Sequence, residues 1–107
     1  MPVRISHGSY NRGSAAEYAF VRNRFDIPIH LPTKFIKQLE RRKKLFIVPF
    51  TIAHDEDNKT MVITICSESD SFCRKIGRTI ALQRMVFALE EADQDREWIY
   101  RGEIPAN

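Results

Sequence analysis

The stretch that decides the fold runs from Leu45 to Cys66. It reads Leu45-Phe46-Ile47-Val48-Pro49-Phe50-Thr51-Ile52-Ala53-His54, then Asp55-Glu56-Asp57-Asn58-Lys59, then Thr60-Met61-Val62-Ile63-Thr64-Ile65-Cys66. β-Branched and aromatic residues dominate both flanks, and a polar turn separates them. The reading is a β-hairpin, with strands over Leu45 to His54 and Thr60 to Ser67 and a loop of about five residues. Both strands are apolar at nearly every position, which predicts burial on two faces. Pro49 has no backbone N–H to give a ladder, so it predicts an edge position or a bulge.

Working outward from the hairpin, the preceding segment predicts a short amphipathic helix. Thr33 follows Pro32 as the expected N-cap, and Phe35, Ile36 and Leu39 make the apolar stripe of a helix ending near Lys44. Upstream, Glu17 to Asp26 alternates imperfectly and carries Tyr18 and Phe20, the pattern of a strand. Ile27, Ile29 and Leu31, interrupted by Pro28, predict a short extended edge. Residues 1–16 carry Gly8, Gly13 and Ser14 and little periodicity, so they read as a loose N-terminal arm with a short strand at Val3 to Ser6. Downstream, Ser69 or Asp70 caps a long helix reaching about Ala92. A charged turn and a last strand with Trp98, Ile99 and Tyr100 follow. The expected fold class is α+β: a small antiparallel sheet with a central β-hairpin, one short and one long helix.

Length and composition agree with that picture. The chain has 107 residues, 43% of them hydrophobic and 29% charged, which reads as one globular domain over residues 1–107. The formal net charge of +3 permits an anionic partner without demanding one. Cys66 and Cys73 lack the two-residue gap of a redox pair or zinc knuckle, so they read as reduced, partly buried thiols. No apolar run approaches the roughly 20 residues of a membrane span, and the start lacks a signal-peptide core. The expected location is the cytoplasm, with no membrane partner.

The long helix carries the most chemistry. At 100° per residue its side chains fall on three stripes. Phe72, Ile76, Ile80 and Phe87 make one. Leu82, Val86 and Leu89 make another. Arg74, Arg78, Ala81 and Met85 make the third. Two separated apolar stripes predict packing on two sides, against the sheet and against a second copy of the chain. Gly77 costs a helix interior about 1 kcal/mol against alanine. Its presence predicts close approach of a ligand or a second backbone, or else tight packing on the sheet.

Arg74 and Arg78 stand one turn apart near the positively polarised end of the helix. Two guanidiniums there can clamp a phosphate, with Lys75 and Arg84 flanking. The alternative is a solvated basic face paired with Asp55, Glu56 or Asp57. A second basic cluster, Arg41 to Lys44, complements the end of the first helix or else meets nucleic-acid phosphates. His7, His30 and His54 are scattered, so no metal site is expected. No nucleophile elbow, phosphate-binding Gly-rich loop or H-E-x-x-H motif occurs, and Glu90, Glu91, Asp93 and Asp95 read as solvated charge. The expectation is a binding protein rather than an enzyme, with no cofactor.

The run from Cys66 to Arg84 reads as a strand end, Cys-Ser, followed by Asp70-x-Phe72-x-Arg74-Lys75-x-Gly77-Arg78-x-Ile80-Ala81. It resembles the small bacteriophage Thoeris anti-defence family of nucleotide sponges over about a fifth of the chain. The resemblance implies a non-enzymatic protein that sequesters cyclic ADP-ribose isomers, and in some members cyclic oligonucleotides, in the host cytoplasm. It implies a homo-oligomer with ligands at subunit junctions. It also implies that Arg74 and Arg78 grip the diphosphate while an aromatic residue stacks on the adenine, for which Phe46, Phe50 and Tyr18 are the candidates. The alternative function is a small basic phage protein that binds nucleic acid or inhibits a host protein.

Overall fold

The computed structural model describes residues 3–11, 20–22, 31–42, 47–65 and 74–102. Its strands are β1 (Val3–Asn11), β2 (Phe20–Arg22), β3 (Ile47–Asp55), β4 (Thr60–Ile65) and β5 (Ile99–Arg101). Its helices are α1 (Thr33–Glu40) and α2 (Arg74–Glu90). The strands form one antiparallel sheet in the order β2-β1-β3-β4-β5. The α+β class and the β3–β4 hairpin therefore stand as the sequence predicts.

Alternation along the strands divides the core in two, since successive side chains point to opposite faces. Val48, Phe50 and Ile52 of β3 and Met61 and Ile63 of β4 share one face with Tyr10, and α1 covers them with Phe35 and Leu39. Ala53 and Val62 point the other way, and α2 packs there with Ala81, Met85 and Ala88 beside Ile99. This double burial explains why neither hairpin strand alternates apolar with polar.

Four local expectations are corrected. The short strand expected at Val3 to Ser6 is there but runs on to Asn11, paired along its whole length with β3, so Val3–Asn11 is not a loose arm. Residues 12–16 lie outside the described set. Pro49 does not mark an edge strand, because β3 is the middle strand of five. It lies opposite Ser9, one residue before the first β3–β4 pair, Phe50↔Ile65, so its missing donor falls where the described ladder to β4 has ended. Thr33 is the first helical residue and not the cap. Pro32 occupies the N-cap position, and its carbonyl oxygen accepts from the Phe35 and Ile36 amides at 2.9 and 3.1 Å. Helix α1 ends at Glu40, before the basic cluster rather than within it.

The hairpin turn is built from Glu56 to Lys59. Asp55 is fully buried and accepts from the backbone amide and the side-chain amide of Asn58, at 3.2 and 2.8 Å. These bonds hold its carboxyl below the usual carboxylate range. Lys59 takes the left-handed conformation with φ 50°, closing the turn.

The loop from Glu91 to Trp98 is anchored from both sides. Lys34 of α1 donates to Asp95 Oδ1 at 3.1 Å and to the carbonyls of Arg96 and Ile99 at 2.8 and 2.7 Å. Gln38 donates to the Glu97 carbonyl. Arg101 reaches back to the end of α2, giving Nη1 to the Ala88 carbonyl at 3.0 Å and Nη2 to those of Glu91 and Gln94 at 3.2 and 3.0 Å. The Ala88 carbonyl is one that the last turn of α2 cannot satisfy by itself, and the other two belong to the loop after it. The same contacts orient α2. Its C-terminal end lies by the β3–β4 turn, and Arg74 stands toward the opposite end of the sheet, where β4 reaches Ile65.

Candidate functional site

The small residues of α2 decide how it sits. Gly77, Ala81 and Ala88 are buried with Met85, so the helix approaches the sheet along its least bulky stripe. This is the stripe that the sequence reading had grouped with Arg74 and Arg78. The large apolar residues are turned away from the sheet: Ile76 is 60% exposed, Val86 53% and Leu82 37%. Gly77 lies on this buried stripe of the helix.

Arg74 opens α2, and Arg78 follows one turn later. Lys75 and Arg78 are exposed. Among the described residues neither is paired with an acidic side chain. The acids proposed as partners lie at the far end of the sheet and are otherwise engaged. Asp55 is held by Asn58, and Glu56 lies 3.9 Å from both Arg4 and His54. Among the described residues, then, no acidic side chain offsets Lys75 and Arg78 in the first turns of α2, where the helix dipole adds to their charge.

Beneath this end of α2, three polar residues align across the sheet. His7, Thr51 and Thr64 are register partners on β1, β3 and β4 and point to the α2 face. His7 Nδ1 and Thr51 Oγ1 are hydrogen-bonded at 2.9 Å. Thr64 is 9% exposed, and among the described residues its buried Oγ1 has no hydrogen-bond partner. A buried hydroxyl without a partner is uncommon and costs stability. Sequence reasoning missed this row. Its signal lay in the alternation of β1, which places His7 on the face of Val3 and Ile5.

Arg84 belongs to a different part of the molecule from the proposed clamp. It lies six residues beyond Arg78, about 120° around the helix. Its Nη1 donates to the Ile63 carbonyl at 2.6 Å, and its guanidinium carbon lies 5.0 Å from the centre of the Trp98 ring. Burial lowers its pKa from the ordinary arginine value. These contacts bind the helix to β4 and the β5 loop. Phe50 cannot stack on a base, because it is fully buried on the α1 face of the sheet. Tyr18, Phe46, Cys66 and Cys73 lie outside the described residues.

Of the second basic cluster, Arg41 donates to Glu97 Oε1 at 3.4 Å on the exposed surface, and Arg42 is half-buried. Lys43 and Lys44 lie outside the described residues. Among the described residues no group of three or more His, Cys, Asp or Glu side chains could hold a metal ion. No helix among them is long and apolar enough to cross a membrane. No family model, curated protein or solved structure matches the chain.

Proposed function

We propose that this chain is a binding protein that sequesters an anionic cyclic nucleotide without chemical turnover, holding its phosphates with Arg74 and Arg78. The observation that carries the reading is the exposed positive charge at the start of α2. Among the described residues Lys75 and Arg78 have no acidic partner. Paired guanidiniums one turn apart suit a diphosphate, and the helix dipole favours negative charge at the same end. The His7–Thr51–Thr64 row supports the reading by placing hydrogen-bonding groups on the sheet face that α2 packs against. The local resemblance to the anti-defence sponges supports cyclic ADP-ribose isomers, with cyclic oligonucleotides next, and a phage origin in the host cytoplasm.

The test is isothermal titration calorimetry against cyclic ADP-ribose isomers, cyclic di- and trinucleotides and a short single-stranded RNA. The expected result is saturable binding of one cyclic nucleotide that is recovered chemically intact after heat release from the complex. The double variant Arg74→Ala/Arg78→Ala should lose that binding while keeping the wild-type circular dichroism spectrum. Unchanged affinity in the double variant overturns the site. A response to RNA alone, falling steeply with salt, instead marks a nucleic-acid binder.

A further inference from the structure

The outward face of α2 carries a pattern of which the proposed nucleotide site uses only Lys75. Its exposed wedge holds Lys75, Ile76, Thr79, Leu82, Gln83, Val86 and Glu90. Within that wedge Ile76, Thr79, Gln83, Val86 and Glu90 recur at alternating steps of three and four. That is the spacing of a narrow helix–helix seam, and no element among the described residues covers it. Ile76 and Val86 stand about 15 Å apart along the axis, at the two ends of the apolar part. Both are more than half exposed. Charge is distributed just as unevenly. The early turns carry Lys75 and Arg78, the last turn carries Glu90, and Glu91 and Asp93 follow it. All five are exposed.

A surface that is basic at one end and acidic at the other, with Ile76 and Val86 on either side of Thr79 and Gln83 between, is complementary to itself when a copy is turned end for end. We infer that α2 packs antiparallel against α2 of a second copy of this chain, about a twofold axis near Leu82. This arrangement seats Ile76 on the partner subunit's Val86 and sets Thr79 beside the partner subunit's Gln83. It brings Lys75 within reach of the partner subunit's Glu90. Each contact occurs twice. Opposed helix dipoles add to the attraction, and a parallel pairing would set like charges against each other. The polar pair at the centre fixes the register, because any slip leaves Thr79 and Gln83 against apolar neighbours. The interface shares Lys75 with the flank of the proposed nucleotide site, but its central test, at Val86, touches no residue of that site.

Sedimentation equilibrium of the full chain, from about 1 µM to about 300 µM, measures the association directly across the affinity range expected of a modest interface. The expected result is a monomer–dimer equilibrium that weakens as salt is raised. Val86→Asp should weaken the dimer at least about tenfold, since it buries a charge in the seam. Because Val86 is largely exposed in the monomer, the variant should keep the wild-type spectrum. Lys75→Glu and Glu90→Lys should each weaken association, and the two together should restore it. A monomer throughout the range overturns the inference. Association that ignores Val86→Asp places the interface elsewhere and also overturns it. Failure of the double charge reversal to restore binding overturns the antiparallel geometry.

Discussion

Arg84 Nη1 donates to the carbonyl oxygen of Ile63 at 2.6 Å, tying the middle of α2 to the edge of β4. The bond is charge-assisted and half-buried, and the guanidinium plane also meets the Trp98 ring. Arg84→Ala should therefore destabilise the fold by about 1.5–3 kcal/mol, the usual cost of losing a hydrogen bond to a charged group. Arg84→Lys should recover only part of this, because an ammonium cannot both stack on the indole and reach the carbonyl. Urea unfolding midpoints of the two variants check the ordering. Equal stability of Arg84→Ala and wild type would show that the contact contributes nothing.

Stability should depend on pH in two separate windows. Burial pushes the His54 imidazole below its ordinary 6.5, against the pull of nearby Glu56 and with a further push from Arg4. Above that ordinary value the ring is neutral in both states and has no effect. As pH falls through it, the unfolded chain takes the proton first and the fold loses stability, until the native ring titrates as well. The Asp55 carboxyl acts lower. Its pKa is depressed mainly by the Asn58 side chain, so its contribution is full above the ordinary carboxylate value and is lost as pH falls through the native one. His54→Leu should flatten the upper window and Asn58→Ala the lower. Unfolding midpoints measured from pH 8 downward, to about pH 3 where carboxylates titrate, separate the two.

Thr64 separates stability from binding. Its buried hydroxyl has no partner among the described residues, so the near-isosteric Thr64→Val should leave stability unchanged or raise it by up to about 1 kcal/mol. If the polar row contacts the proposed nucleotide, the same variant should weaken binding several-fold. A calorimetric titration beside a thermal melt reads both. Unchanged affinity would remove the row from the site.

Arg101 should act on the end of α2 alone. Its three bonds cap the carbonyls of Ala88, Glu91 and Gln94. Arg101→Ala should raise amide exchange in the last turn of α2 and in the loop after it, with the protection of β3 and β4 retained. Uniform loss of protection would mean that the cap is part of the global fold instead.

The parts legible in the sequence were those whose burial is written in consecutive side chains. Residues Ile47 to Asp55 and Thr60 to Ile65 are apolar on both faces, and no helix of ordinary composition gives that pattern around a polar turn. Strand β1 was hidden because Arg4, Ser6 and Gly8 alternate with Val3, Ile5 and His7, and little in that run demands burial. It is a strand because the open edge of β3 needs a partner, a requirement set by tertiary context. The orientation of α2 is not legible for a related reason. The sequence predicts packing on two sides without saying which stripe meets the sheet, and the structure puts Gly77, Ala81, Met85 and Ala88 there, with Phe87 and Leu89 at its margin and Ile76 exposed. Arg84 was grouped with the clamp because residue type and nearness in sequence say nothing about which carbonyl a guanidinium will find. Arg78 was legible as an exposed cation, since its position on the helix already set it at the border of the buried stripe.

The pairing of β1 with β3 has a consequence for how the chain reaches this state. The β3–β4 hairpin can close across a short turn, but β1 must wait for all of β2 and α1 to pass before it meets its main partner. Closing that long segment costs chain entropy before any ladder bond offsets it. The hairpin should therefore form early and the strand nearest the start of the chain dock late. Until it does, the inner edge of β3 is an open ladder to which a strand from another molecule can add. Refolding yield should fall with protein concentration for this reason, even where the finished fold is stable.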